Sequence, residues 1–347
     1  MNDKTGFSES THEDWSRERE RLLRQNIQEL GLKIEGTYLE GLVKKLWDEL
    51  EAAGIRMKFK VYLSNEWSCP DGVPVIGVPF YLVDKRLSRI EAEIMEGVEA
   101  ETEEQILGYL RHEAGHAFNY AYKLYETEEW HELFGPYSRP YREDYTPNPF
   151  SRNYVRHIPG WYAQKHPDED FAESFAVWLD PHSNWREAYK DWGCFKKLLY
   201  VEKVVKQLGD KAPLVTGEDY DWSTEEMPYS VEEHYKRTVP GLTEIPAYFD
   251  GDLKDIFEAD PRGKQKEWQS AAEFIAAHRR EIVKDISYWT GLYDVLVKSL
   301  INHFAERAKA LDLRVDPKKT HAALMDLLAF ATTLCMNKIY KGDYVIK

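Results

Sequence analysis

A chain of 347 residues, 43% apolar and 31% charged, is long enough to bury a full core and too balanced in composition to be disordered; two lobes, or one domain with a large helical extension, are expected. Its formal charge of -15 repels nucleic acid and anionic membranes at long range, which argues against either as a general partner. Cys69, Cys194 and Cys335 lie far apart and form no CxxC pair, so neither a disulfide framework nor a thiolate metal site is expected, and a reducing, cytoplasmic setting fits best.

The first 24 residues are polar and of mixed charge, without the apolar h-region of a secretion signal. From 36 to 53, Leu39, Leu42, Val43, Leu46 and Leu50 recur at helical spacing and stop before Gly54, which predicts an amphipathic helix. Met57 to Leu63 sets Phe59, Val61 and Leu63 against Lys58 and Lys60, the alternation of a half-buried strand. Val73 to Asp84 is a second extended stretch, and Pro74 and Pro79 argue for a sheet edge or a bulge because proline cannot donate to a ladder.

Thr102 and Gln105 fit a capping box, and Ile106, Leu107, Leu110, Ala114, Ala117, Phe118 and Ala121 carry a helical stripe through about Tyr125. Residues 126 to 161 are irregular and rich in Pro, Tyr and Arg, a length of loop that usually serves function. His166-Pro167-Asp168-Glu169-Asp170 then opens a helix to about Leu179: proline suits its first turn, and acidic side chains suit the positive end of its dipole. Trp185 to Leu208 reads as helix broken near Gly193, residues 210 to 265 as a connector, and three helices follow at 266–286, 287–311 and 317–340. Ala322 to Cys335, interrupted by Asp326, falls short of the about 20 residues a membrane span requires and reads as a core helix.

The chemistry concentrates in His112-Glu113-Ala114-Gly115-His116, an HExxH sequence inside the best-defined helix. Histidines four apart share a helical face, as one cation requires, and a catalytic zinc adds one more protein ligand while keeping a position open. Glu113, about 100° around the helix from His112, can take a proton from attacking water. Downstream, Glu169 and Glu173 also lie four apart on one face; one can bind the metal while its neighbour holds a histidine N–H. Helix-dipole preference alone accounts for Asp168 and Asp170. The other histidines have no partner at ligand spacing, so no second metal is expected.

On these residues the sequence resembles the gluzincin metallopeptidases, and more closely the lethal-factor type toxins and bacterial zinc-binding metallopeptidases, in which HExxH is followed by ExxxE or ExxxD around F-A-E. The resemblance spans about residues 57 to 180 and carries Asp170 where the toxin pattern has an aromatic residue. It implies Zn2+ as cofactor, His112, His116 and Glu169 as ligands, Glu113 as general base and Glu173 behind a histidine. It also implies an oxyanion-stabilising role for Tyr162, seven residues before the ligand; His157 and Arg156 are further candidates for that task. By the same likeness Val73 to Asp84 would be the edge strand that pairs with a substrate backbone.

The expected architecture is therefore α+β: an amino-terminal helical segment (1–55), a zincin-like core of small mixed sheet and two metal-bearing helices (56–182), and a mostly helical remainder (183–347). The expected activity is hydrolysis of peptide or protein substrates. A zinc-containing binding or regulatory protein is the alternative, and a helical protein with a coincidental motif is a third reading.

Overall fold

A computed structural model describes residues 6–95, 102–142, 145, 147–217, 219–238, 245, 249–259 and 268–344. The chain divides into two units, one of Met1–Arg142, Arg152–Ile158 and Tyr162–Gly241, the other of Glu143–Ser151, Pro159–Trp161 and Leu242–Lys347. Helices dominate and the sheets are small, so the class is α+β.

The first unit runs α1 (Gly6–Leu23), α2 (Tyr38–Ala52), β1 (Lys60–Ser64), β2 (Val75–Pro79), α3 (Lys85–Ile94), α4 (Glu103–Tyr122), α5 (Glu128–Phe134), α6 (Pro167–Leu179), α7 (Trp185–Ala188), α8 (Phe195–Leu208) and α9 (Val231–Thr238). In α2 the five leucine and valine positions expected to be apolar are all buried. The capping box of α4 forms: Gln105 N donates to Thr102 Oγ1 at 3.2 Å and Thr102 N donates to Gln105 Oε1 at 3.0 Å. Every residue of α4 from Leu110 to Tyr122 is buried, since α2, β2 and α6 all pack on it. Arg111 crosses to α2 and donates to both oxygens of Glu49, at 2.7 and 2.8 Å, which fixes the back of the motif helix.

β1 and β2 pair in parallel, Lys60 against Val75 through Ser64 against Pro79. Of the stretch Val73 to Asp84, expected as an edge strand, Val75–Pro79 is an outer strand of a two-stranded sheet and Phe80–Val83 is a 3-10 helix, and the outer side of the strand is already paired at Gly77. β2 is buried along its length, and Ser68 and Gly77 exchange backbone hydrogen bonds on the side away from β1, at 2.7 and 3.2 Å. The turn through Pro70–Val73 folds residue 68 back onto the strand and occupies that edge at Gly77. Residues 183 to 241, grouped by sequence with the carboxyl-terminal helices, bury Tyr200, Val201, Val204, Val205, Met227 and Tyr235 in the same core as α4.

The second unit comprises α10 (Asp250–Ile256), β3 (Glu258–Ala259), β4 (Gln269–Ser270), α11 (Ala271–Thr290), α12 (Asp294–Ala310), β5 (Leu313–Val315) and α13 (Thr320–Lys341), with an antiparallel sheet ordered β3-β5-β4. The break between α11 and α12 falls at Gly291, whose φ of 76° gives the left-handed turn, rather than at 286/287. Residues 266 and 267, where the first of these helices was expected to start, lie outside the described residues. α13 is long and apolar enough to cross a membrane by length and composition alone; Ala323, Leu327, Ala331, Leu334 and Cys335 on one stripe of it are buried in this unit's core.

Candidate metal centre

Two helices build the site, and their close approach depends on a missing side chain. A Cβ on Gly115 would stand 2.8 Å from Ala172 Cα and 3.0 Å from Phe175 Cβ, so only glycine lets α4 meet α6 at this distance. The helices run antiparallel: His112 meets Glu173, whereas His116 and Asn119 meet Asp168 nearer the start of α6. Pro167 begins α6, and the His166 ring caps it by accepting from Asp168 N at 3.2 Å.

At the crossing, three atoms form a nearly equilateral triangle. His112 Nε2 is 3.0 Å from Glu169 Oε2, His116 Nε2 is 3.1 Å from the same oxygen, and the two nitrogens are 3.1 Å apart. Ligands about 2.0 to 2.1 Å from a tetrahedral zinc are separated by about 3.3 Å, so the triangle has nearly the size of one face of that tetrahedron. All three residues are buried.

The second nitrogen of each imidazole settles what the triangle presents. His112 Nδ1 donates to Glu173 Oε1 at 2.8 Å, and His116 Nδ1 donates to Asp168 Oδ2 at 2.9 Å. With Nδ1 carrying the proton, both neutral rings turn an Nε2 lone pair inward, toward a carboxylate oxygen that can only accept. Three acceptors so close repel unless a positive charge lies among them, and a divalent cation satisfies the set. The same demand acts on protons. Burial opposes a charge on His112, but its hydrogen bonds to Glu169 and Glu173 outweigh burial and raise its pKa to about 9. His116 is likewise raised, Asp168 and Glu169 overcoming its burial, and the His116 charge beside Glu169 holds that carboxyl well below its usual range despite burial.

The remaining predicted residues fall into two groups. Glu173, fully buried, also accepts from Ile158 N at 3.0 Å, so each of its oxygens has a partner. Tyr162 sits in a single 3-10 turn with its ring 5.6 Å from that of His112, and burial, then the charge of Glu169, keeps its hydroxyl protonated far above the normal range. Glu113 is buried and close enough for its charge to act on Tyr162. His157 and Arg156 are placed otherwise. His157 Nε2 donates to Gly108 O at 3.0 Å, and the Arg156 guanidinium lies over Trp192 at 5.3 Å.

The structure adds residues that the sequence reading did not assign. Asp168, read there as a helix-dipole residue, accepts from His116, from Tyr120 Oη at 2.6 Å and, on its other oxygen, from Asn119 Nδ2 at 2.7 Å. The signal was present: in an antiparallel crossing the later histidine must meet the earlier acids of α6. Asp170 does turn away, toward Lys197, and burial raises its pKa to about 7 against that lysine's pull. Tyr141, from the irregular loop, donates to Glu169 Oε1 at 2.6 Å; no periodicity or spacing marked it.

Imidazoles one turn apart on a buried helix, completed by a carboxylate from a second helix and backed by two further acids, form a group that could hold a metal ion. Residues 90–202, about a third of the chain and including α4 and α6, match the family model described as "Putative zinc-binding metallo-peptidase". No curated protein and no solved structure matches the chain.

Proposed function

We propose that the chain is a zinc-dependent peptidase that hydrolyses peptide bonds with Glu113 as general base, on a zincin-like core. The observation that carries this reading is the triangle of His112 Nε2, His116 Nε2 and Glu169 Oε2, with Glu113 one residue along the same helix. Zinc held by these residues would supply Lewis acidity, making water nucleophilic near neutral pH and polarising a scissile carbonyl. Glu113 accepts the proton of the attacking water and passes it to the departing amine. Tyr162, kept protonated, donates a hydrogen bond to the carbonyl oxygen as charge grows on it. Asp168 and Glu173 hold the histidines in the Nδ1–H tautomer, and the Gly115 contact fixes the spacing of the two helices.

Glu113→Gln tests the mechanism: it should retain zinc at wild-type stoichiometry and lose peptide turnover by about 100-fold or more. Cleavage of a diverse peptide mixture at the wild-type rate by the zinc-loaded variant would remove Glu113 from the reaction. Stoichiometric zinc with no cleavage by the wild type would favour a binding or regulatory protein built on the same centre.

A further inference from the structure

The loop before α6 brings the Tyr141 side chain into the site, and proton counting shows what it does there. Arg139 Nη2 donates to Gln164 O at 3.3 Å and Lys165 O at 3.4 Å, and Arg139 O accepts from His166 Nε2 at 2.7 Å. Residue 139 is thereby tied to the chain that leads into α6. Two residues later the Tyr141 ring, half exposed, lies under the Lys165 ammonium at 4.4 Å and beside the His166 ring at 5.5 Å. Its hydroxyl lies 2.6 Å from Glu169 Oε1 and 3.2 Å from the Tyr162 hydroxyl.

A phenol has one proton to give. A carboxylate can only accept, so the Tyr141 proton lies on the short, charge-assisted bond to Glu169. In the contact between the two tyrosines, Tyr162 is therefore the donor and Tyr141 the acceptor. The order is Tyr162 to Tyr141 to Glu169. One consequence falls on each end of this relay. Glu169 Oε1 is capped, which leaves Oε2 as the oxygen presented to the imidazoles. The Tyr162 proton is directed at Tyr141 and must turn from it before it can be donated elsewhere.

We propose that Tyr141 is a positioning residue of this centre, holding Glu169 to one-oxygen coordination and keeping the Tyr162 hydroxyl in register until substrate takes its proton. The inference rests on the zinc reading of the site. It does not require that the protein cleave peptides.

The test is equilibrium metal binding. Zinc affinity is measured by competition with a chromophoric chelator, and the visible spectrum is recorded with Co2+ in place of zinc, for wild type, Tyr141→Phe and Tyr162→Phe. Loss of a group that orients a ligand typically weakens metal binding by about 10 to 100-fold, and Tyr141→Phe should do so. Its Co2+ bands should also weaken, as they do when a carboxylate turns from one-oxygen to two-oxygen binding. Tyr162→Phe removes a hydroxyl from the same cluster without touching Glu169 and should leave both readouts at wild type. Melting of the metal-free forms should coincide for wild type and Tyr141→Phe, which separates a positioning effect from a folding defect. Wild-type affinity and spectrum in Tyr141→Phe would overturn the assignment. Tyr141-dependent zinc binding in a protein that cleaves no peptide would support the assignment and overturn the peptidase reading, whereas wild type that binds no zinc would overturn both.

Discussion

Replacing Gly115 by alanine puts the spacing of the two helices that carry the candidate metal ligands under direct control. The new methyl would stand 2.8 Å from Ala172 Cα and 3.0 Å from both Ala172 O and Phe175 Cβ, and two of these three atoms are backbone. Carbon atoms pack at about 3.5 to 4.0 Å, so α4 and α6 must part locally by about 1 Å. Metal sites tolerate errors of about 0.2 Å in ligand position, and His112 and His116 flank Gly115 on the same helix, so the triangle opens by several times that tolerance. Overpacking of this kind costs about 1 to 3 kcal/mol, and alanine returns about 0.5 to 1 kcal/mol over glycine within a helix. The net is a loss of up to about 2.5 kcal/mol, and at the midpoints of the two ranges about 1 kcal/mol, a fall in melting temperature of about 2 to 4 °C for a unit of this size.

The assay pairs this variant with Gly108→Ala, two turns earlier on the same helix, where the nearest atom to a new Cβ is His157 Cε1 at 3.4 Å. That variant keeps the helix-forming gain without the clash and should melt at or above wild type. Zinc affinity should fall at least about 10-fold in Gly115→Ala and stay at the wild-type value in Gly108→Ala. A Gly115→Ala protein that melts with Gly108→Ala and binds zinc as tightly as wild type would show that this contact does not set the helix spacing.

Asp168→Ala strips the acceptor from His116, Asn119 and Tyr120 together; it should weaken zinc binding by about 10 to 100-fold and lower unfolding free energy by about 3 kcal/mol or more, read by calorimetric titration and urea unfolding. A variant as stable as wild type would show that these donors find other partners. Burial holds the His234 imidazole down to about 4 from an ordinary 6.5, so the unfolded chain takes up a proton as pH falls below 6.5 while the folded chain stays neutral until about 4. Stability is therefore lost as the pH falls across that window, by about 3 kcal/mol in full, and His234→Phe should remove that share of the acid sensitivity in urea titrations at pH 7 and 4.5; equal sensitivity in the two proteins would exclude His234 as a source.

Which of these features the sequence disclosed follows from the range of the interaction behind each. The capping box and stripe of α4, and the spacing of His112, Glu113 and His116, are set within about two turns of one helix and could be read directly. Glu169 and Glu173 were readable for the same reason, as a pair on one face of α6. The second edge of β2 was hidden because residue 68 reaches it through a turn that neither alternation nor proline placement reports. Tyr141 was hidden because it stands 28 positions from Glu169, with no helical or strand spacing to link the two.

Asp168 lies between these cases, and its part in the site needed only the direction of one helix crossing. The His112–Glu173 pair spans 61 residues and the His116–Asp168 pair 52, a shortening of the kind that two antiparallel segments impose as one moves along both. Had α6 run parallel to α4, the later histidine would have faced residues beyond Glu173, and the acids opening α6 would have been left to the helix dipole alone. Once Glu173 is assigned to His112, therefore, the antiparallel crossing leaves the first turn of α6 as the place where His116 can find its acid.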